Sequence, residues 1–320
     1  MYKIGIIDTM KEKGIDLLKG YKNFDCEIVT DLSRKNLLLK LPEFDGITLR
    51  RGKIDREILD KCDKLKVISR HGVGYDSVDT ECLKEKAITL LVAHNSTSTS
   101  PAEHIMFMIM NIYKGVSMFD SMVRGGDFVK AIHLNIEQNF ELFNKTVLIA
   151  GFGRIGKKLI KKCLGFDMKV IVFDPYVDDA IIASFGGAKV TTLDEGLKKA
   201  DILSLSLPLN SETKNFITLK KMKLMKKSSI IINAARGGVV NEEDLNNALN
   251  NNIIAFAGID VFEKEPPATT NPLITNKKVV LSPHAATFTK EGLESMAIET
   301  AQNIINFFEN KIENTKIVKL

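Results

Sequence analysis

Cysteine is scarce in this chain: four in 320 residues, at Cys26, Cys62, Cys82 and Cys163, with no Cys-x-x-Cys pair. That scatter offers no disulfide framework and no zinc or redox motif, and it fits buried thiols in a reducing compartment. A targeting segment is not expected either. Lys3-Ile4-Gly5-Ile6-Ile7-Asp8 already reads as a strand, which leaves no room for a charged leader, an apolar core and a cleavage site. Long apolar runs are absent, since the longest, His104 to Tyr113, is about half a membrane span. Charge of one sign is nowhere massed. The net charge of +5 is small for this length, and the lysines of 157–162 and 220–227 are spaced like solvated helix faces. Neither nucleic acid nor a membrane is therefore expected as a partner, no metal is expected, and the cytoplasm is the expected location. No internal repeat or low-complexity segment occurs.

The 44% hydrophobic and 27% charged content is that of a soluble globular protein, and the length allows about two domains, each with its own core. The chain is organised around the stretch from Lys145 to Tyr176. Thr146-Val147-Leu148-Ile149-Ala150 reads as a buried strand and breaks at Gly151-Phe152-Gly153-Arg154-Ile155-Gly156. This is G-x-G-x-x-G between a strand and a helix. Gly151 permits the tight turn, Gly153 lets a pyrophosphate approach the backbone, and Gly156 lets the helix pack on the strand. The helix aims its free N–H groups at the phosphates. A second strand, Lys169 to Phe173, ends at Asp174, close to the spacing of about 20 residues expected of a ribose-binding acid. A carboxylate there accepts from both ribose hydroxyls and repels a 2′-phosphate, so the expected cofactor is NAD.

Before that stretch, short apolar runs at 4–7, 27–29, 46–49, 65–69 and 88–92 alternate with helical patterns, which predicts a parallel sheet with crossovers. Arg50-Arg51-Gly52 and Arg70-His71-Gly72-Val73-Gly74 fall at its strand ends, where arginines and glycine amides suit an anion. Asn95 to Ser100 reads as a linker ending in a helix start. Ser100 is the expected N-cap, Pro101 the first helical residue and Glu103 the capping-box partner. The helix from Ala102 to about Val116 is apolar nearly all round, as a core or interface helix is. From Phe119 to Asn144 the pattern is irregular, which fits a long arm or a dimer contact. Further strands are expected at 189–191, 202–207, 229–232, 255–259 and 278–281, and Thr289 caps a last amphipathic helix of about 20 residues. No strand follows that helix, so it is expected to return to the first domain and make it discontinuous.

Three downstream stretches carry polar residues just past buried strands: Asn233-Ala234-Ala235-Arg236-Gly237-Gly238, Asp260-Val261-Phe262-Glu263-Lys264-Glu265-Pro266-Pro267, and Ser282-Pro283-His284-Ala285-Ala286. Singly, each has a plain structural explanation: a surface ion pair, a strand terminator, a satisfied histidine. Together an Arg, a Glu and a His beside a nicotinamide supply an anion clamp, an orienting carboxylate and a proton donor, the minimum for reducing a keto group by hydride transfer.

With those motifs in hand, the chain resembles the D-isomer-specific 2-hydroxyacid dehydrogenases over nearly its whole length. The resemblance rests on the glycine loop ending at Asp174, Leu207-Pro208-Leu209 with Glu212-Thr213, and the three stretches just given. It implies two doubly wound parallel-sheet α/β domains. A Rossmann cofactor domain, 99–287, is inserted in a discontinuous flavodoxin-like substrate domain, 1–98 and 288–320. It implies that Arg236 binds the substrate carboxylate and keto oxygen, that His284 is the acid/base with Glu265 as its partner, and that Asp260 holds the nicotinamide carboxamide. Arg50 and the amides of Val73 and Gly74 receive the substrate. Gly151, Gly153, Arg154, Ile155, Gly156, Asp174, Leu207, Pro208, Thr213, Ala234, Ala235 and Ala286 line the cofactor. Ser98 and Ser100 belong to a hinge about which the domains close. A homodimer is implied.

The chain departs from the family's pattern in places. Ser206 stands where many members have His or Cys, Ala286 where glycine is frequent, and Arg51 replaces a serine frequent in phosphoglycerate enzymes. The density of positive charge at Arg50, Arg51, Arg70 and His71 favours a second anionic group on the substrate, which makes 3-phosphoglycerate the first expectation. Glyoxylate, hydroxypyruvate or another D-2-hydroxyacid stands behind it, and ion pairing of these arginines with Asp76 or Asp79 is the bland alternative. The family also resembles NAD-sensing corepressors that use the fold to bind proteins, so turnover is the discriminating observation.

Overall fold

The computed structural model describes residues 1–94, 98–134 and 139–320. The chain forms two compact units, Met1–Thr97 with Phe288–Leu320, and Ser98–Thr287. The first unit holds the strands β1 (Tyr2–Ile7), β2 (Phe24–Val29), β3 (Gly46–Leu49), β4 (Val67–Arg70) and β5 (Thr89–Val92), all parallel, in the order β2-β1-β3-β4-β5. Parallel strands are covered on both faces and so read as unbroken apolar runs, and every residue of β3 is buried. The helix Lys290–Phe308 covers one face. Its Ala297, Ala301 and Ile304 share a core with Ile4, Ile6 and Val67, and the Thr289 hydroxyl caps it by accepting the Gly292 N–H at 3.0 Å.

The second unit holds β6 (Thr146–Ala150), β7 (Lys169–Phe173), β8 (Ala188–Lys189), β9 (Ile202–Leu205), β10 (Ile230–Asn233), β11 (Phe256–Ile259) and β12 (Val279–Leu281). They run parallel in the order β12-β11-β10-β9-β6-β7-β8. Strand order reverses between β6 and β9, so the crevice for a ligand opens at the carboxyl ends of those two strands. The pleat sends alternate residues to opposite cores. Ile230 and Ile232 join Ile105, Ile109 and Ile149 on one face, while Ile231 joins Leu203, Leu245 and Leu249 on the other.

The structure differs from the sequence reading in two helical regions. The helix expected from Ala102 spans Thr99–Lys114, and Ser98 rather than Ser100 holds its N-cap position. Glu103 pairs with Lys162 at 2.9 Å. Asn95, Ser96 and Thr97 of the expected linker lie outside the described residues. The segment read as irregular from Phe119 carries the helices Val116–Arg124 and Phe128–Ile132, the first entered through Gly115 at φ +62°. Both are short, and Val116, Met118, Val123, Phe128 and Ile132 face outward in the single chain. Residues 135–138 lie outside the described residues. Among the described residues no helix is long and apolar enough to cross a membrane.

Candidate active site

The glycine loop follows β6 at the switch point. Gly151 takes φ +95°, and a Cβ on it would lie 2.5 Å from the Ser206 carbonyl oxygen; one on Gly156 would lie 2.6 Å from the Gly151 oxygen. Strand and helix approach too closely for any side chain at either position. Gly153 is different, because a Cβ there would meet nothing within 4 Å. Its backbone borders open space where the helix Arg154–Gly165 begins, and among the described residues no side chain caps that helix. Arg154 and Ile155 form its first turn, whose N–H groups have no partner within the helix.

Asp174 follows β7. Its Oδ2 accepts the Phe152 N–H at 2.7 Å and its Oδ1 the Tyr176 N–H at 2.9 Å. Each oxygen keeps a lone pair for a ribose hydroxyl. Past β9, the Thr213 hydroxyl donates to the Pro208 carbonyl at 2.6 Å, which closes the loop carrying Leu207 and Pro208. The Ser206 hydroxyl at the mouth of the same crevice is buried with no hydrogen-bond partner among the described residues. Open space at Gly153, an orphaned hydroxyl and a fixed carboxylate together fit a dinucleotide.

Arg236 sits on a turn after β10 that Asn233 builds. The Asn233 Nδ2 donates to the Arg236 carbonyl at 2.9 Å, its Oδ1 accepts the Ala235 N–H at 3.2 Å, and Arg236 Nη1 donates to the Ala235 carbonyl at 2.6 Å. Ala234 and Ala235 are buried beneath it. The sequence reading assigns Asn233 no role of its own, although an amide ending the run Ile230-Ile231-Ile232 was its signal.

Asp260 follows β11 and is fully buried. Burial pushes its pKa up, but the neighbouring His104 and the hydrogen bonds from Ser282 and the Ala285 N–H outweigh it and hold the carboxyl below its ordinary value. Oδ1 accepts the Ala285 N–H at 2.7 Å and Oδ2 the Ala286 N–H at 3.0 Å. The loop after β12 thus wraps a carboxylate, and its His284 N–H bonds the Asp260 carbonyl at 2.7 Å. His284 takes φ +53°, an uncommon conformation for a side-chain-bearing residue. Its Nδ1 lies 2.8 Å from Glu265 Oε2, and Glu265 Oε1 accepts the Phe262 N–H at 3.1 Å. Burial raises the Glu265 pKa, while the hydrogen bond and charge of His284 bring it below the usual carboxylate range. An ionised Glu265 only accepts, so Nδ1 carries the proton and Nε2 is left for another atom. All these residues stand at the carboxyl edge of one sheet, the edge of the glycine loop.

In the first unit the expected density of positive charge is largely spent. Arg51 pairs with Asp8 through Nε at 2.6 Å, and Arg50 Nη1 lies 3.7 Å from the same carboxylate. Arg70 donates to the carbonyls of Gly74 at 2.7 Å and of Leu49 and Arg50 at 2.6 Å. Asp8 is the arginines' acidic partner, and Asp79 instead caps the helix Thr80–Glu85. Burial pushes the His71 imidazole down to about 4, with Arg50 and Arg70 adding to the shift, so it is neutral at pH 7. Sequence position cannot tell a guanidinium on a carboxylate from one facing a ligand. On the loop that Arg70 braces, Val73 is exposed and Gly74 half-buried.

A family model described as D-isomer specific 2-hydroxyacid dehydrogenase, NAD binding domain, matches residues 106–286. The chain is 34% identical over 305 residues to D-3-phosphoglycerate dehydrogenase of Methanocaldococcus jannaschii, covering 95% of this chain and 57% of that protein. It is 35% identical over 321 residues to glyoxylate reductase of Thermococcus litoralis, covering 97% and 95%. The chain spans little more than half the length of the phosphoglycerate dehydrogenases it matches. Among solved structures, the TT0316 protein from Thermus thermophilus aligns with a TM-score of 0.89 at 27% identity, over 99% of this chain and all of that one. The chain therefore belongs to the D-isomer-specific 2-hydroxyacid dehydrogenase family, and the cofactor of its second unit is NAD.

Proposed function

We propose that this protein is an NAD-dependent oxidoreductase that interconverts a D-2-hydroxyacid and its 2-ketoacid. The observation that carries the proposal is the His284–Glu265 pair, 2.8 Å apart at the sheet edge that holds the glycine loop. Bound NADH supplies the hydride. His284 Nε2 delivers a proton to the keto oxygen as the hydride reaches carbon, and Glu265 stabilises the imidazolium that donates it. Arg236 grips the carboxylate and keto oxygen as a planar fork, on the turn that Asn233 braces. Asp260 receives the nicotinamide amide, and Asp174 the adenosine ribose. In the first unit, Arg50 and the amides of Val73 and Gly74 are the proposed contacts to the carboxylate.

For the substrate we favour a small 2-ketoacid such as glyoxylate or hydroxypyruvate over one bearing a phosphate. With Arg51 on Asp8, Arg70 on backbone carbonyls and His71 neutral, three of the four groups that argued for phosphate are engaged elsewhere or uncharged. A cytoplasmic homodimer completes the reading. Its support is the exposed apolar row of Phe107, Val123, Phe128, Val129 and Ile132.

The test is NADH oxidation with glyoxylate, hydroxypyruvate and pyruvate, alongside NAD reduction with 3-phosphoglycerate. Turnover of glyoxylate or hydroxypyruvate well above the phosphorylated substrate is expected. A preference for 3-phosphoglycerate overturns the choice of substrate. Binding of NADH without turnover of any acid overturns the activity and leaves a cofactor-binding protein.

A further inference from the structure

His104 stands on the buried helix Thr99–Lys114, and nothing in the proton and hydride chemistry above uses it. Its Nε2 lies 2.9 Å from Ser282 Oγ and 3.5 Å from Asp260 Oδ1, and Ser282 Oγ lies 2.5 Å from that same oxygen. With Asp260 held below its ordinary pKa, these contacts set an order of donors. Asp260 is ionised, so it has no proton to give, and the hydrogen shared with Ser282 belongs to the serine. A hydroxyl donates once, so Ser282 faces His104 with a lone pair, and His104 Nε2 must carry a hydrogen. The chain of donors runs one way, from His104 Nε2–H through the Ser282 hydroxyl to Asp260 Oδ1.

This chain makes the two oxygens of Asp260 unequal. Oδ1 takes two donors, Ser282 and the Ala285 N–H, whereas Oδ2 takes the Ala286 N–H. Each oxygen has two lone-pair sites, so the acceptor capacity left over lies on Oδ2. The Ala285 and Ala286 N–H groups hold one oxygen each, and the Ser282 hydroxyl adds a second donor on Oδ1 alone, which sets Oδ2 as the oxygen with a site to spare.

We propose that His104 is a positioning residue for the cofactor: through Ser282 it locks Asp260 so that Oδ2 faces the amide N–H of the nicotinamide. The proposal rests on the reading that Asp260 receives that amide. A carboxylate cannot donate, so the arrangement selects a cofactor that offers an N–H and gives nothing to one that offers only a ketone. An anchor that merely tied helix to loop would have no such preference.

The experiment compares binding of NADH with that of reduced 3-acetylpyridine adenine dinucleotide, in which a methyl ketone replaces the amide. Dissociation constants are measured by calorimetry, without substrate, for wild type, His104→Leu, His104→Gln, Ser282→Ala and the His104→Leu/Ser282→Ala double variant. Wild type should hold NADH more tightly than the analogue. That ratio should fall roughly tenfold in His104→Leu, by the size of a hydrogen bond to a charged group. His104→Gln, which keeps an N–H donor, should restore it. Ser282→Ala should match His104→Leu, and the double variant should lose no more than either alone. Should His104→Leu fail to fold, Ser282→Ala carries the same prediction. Equal weakening of both cofactors in these variants overturns the relay and makes His104 a structural anchor. Equal affinities in wild type overturn the reading of Asp260 itself, and the relay with it.

Discussion

Asp174 holds its own loop before it holds any ribose. Phe152 and Tyr176 both donate backbone N–H groups to it, so the carboxylate is fixed at the end of β7, where on the proposed reading it meets the ribose and disfavours a 2′-phosphate. In Asp174→Ser, NADH affinity should fall by roughly tenfold or more as bonds to a charged acceptor are lost, while NADPH gains relative to NADH. Titration of both cofactors checks this, and a wild type that binds them equally contradicts it. Arg236 belongs to the same scale. Arg236→Lys keeps the charge and loses the fork, so kcat/KM for the ketoacid should drop roughly a hundredfold with NADH affinity unchanged. Equal losses in cofactor and substrate would mark Arg236 as part of the turn. The strand-end positions of Arg236, Asp260, Glu265 and His284 were legible because each follows an apolar run. The partners of Asp8 and His104 were not. Arg51 lies 43 residues from Asp8, and Ser282 lies 178 from His104, so only the folded sheet edge brings them together.

At the scale of elements, parallel strands were the easiest features to read. Thr146–Ala150 and Gly46–Leu49 have the bounds their apolar runs give, because burial on both faces leaves no polar alternation to confuse them. Helix starts were harder. Ser100-Pro101 resembles a cap, yet Thr99 and Ser100 are already helical, since burial of Ile105 and Ile109 decides the helix and a cap contributes only about 1 kcal/mol. The loop after β4 carries a stability prediction. The His71 pKa falls from 6.5 to about 4 on burial, so between those values the unfolded chain binds a proton that the folded one does not. Stability from this group is therefore full above about pH 6.5 and is lost as the pH falls toward 4, by about 3 kcal/mol. Urea unfolding at pH 7 and pH 4.5 should show that loss in wild type, and His71→Leu should lose less over the same interval. The same slope in both proteins would place the acid sensitivity elsewhere.

For the whole molecule, the exposed row from Phe107 to Ile132 is the part a single chain explains least. Apolar side chains at that density face another surface in the proposed homodimer. Phe128→Asp with Ile132→Lys should yield a monomer by sedimentation velocity, and wild-type protein that is monomeric at micromolar concentration contradicts the dimer. The account as a whole turns on proton delivery by the His284–Glu265 pair, and its most direct test is the pH dependence of kcat/KM for ketoacid reduction in wild type and Glu265→Gln. A commitment measurement with deuterated NADH would establish that hydride transfer limits the rate. Reduction should fall at high pH, because the donor must begin protonated. In Glu265→Gln the fall should move to lower pH, since the anion that stabilises the imidazolium is gone. His284→Asn should lose roughly a thousandfold in turnover while still binding NADH. An unshifted profile in Glu265→Gln, or an active His284→Asn protein, would contradict the account.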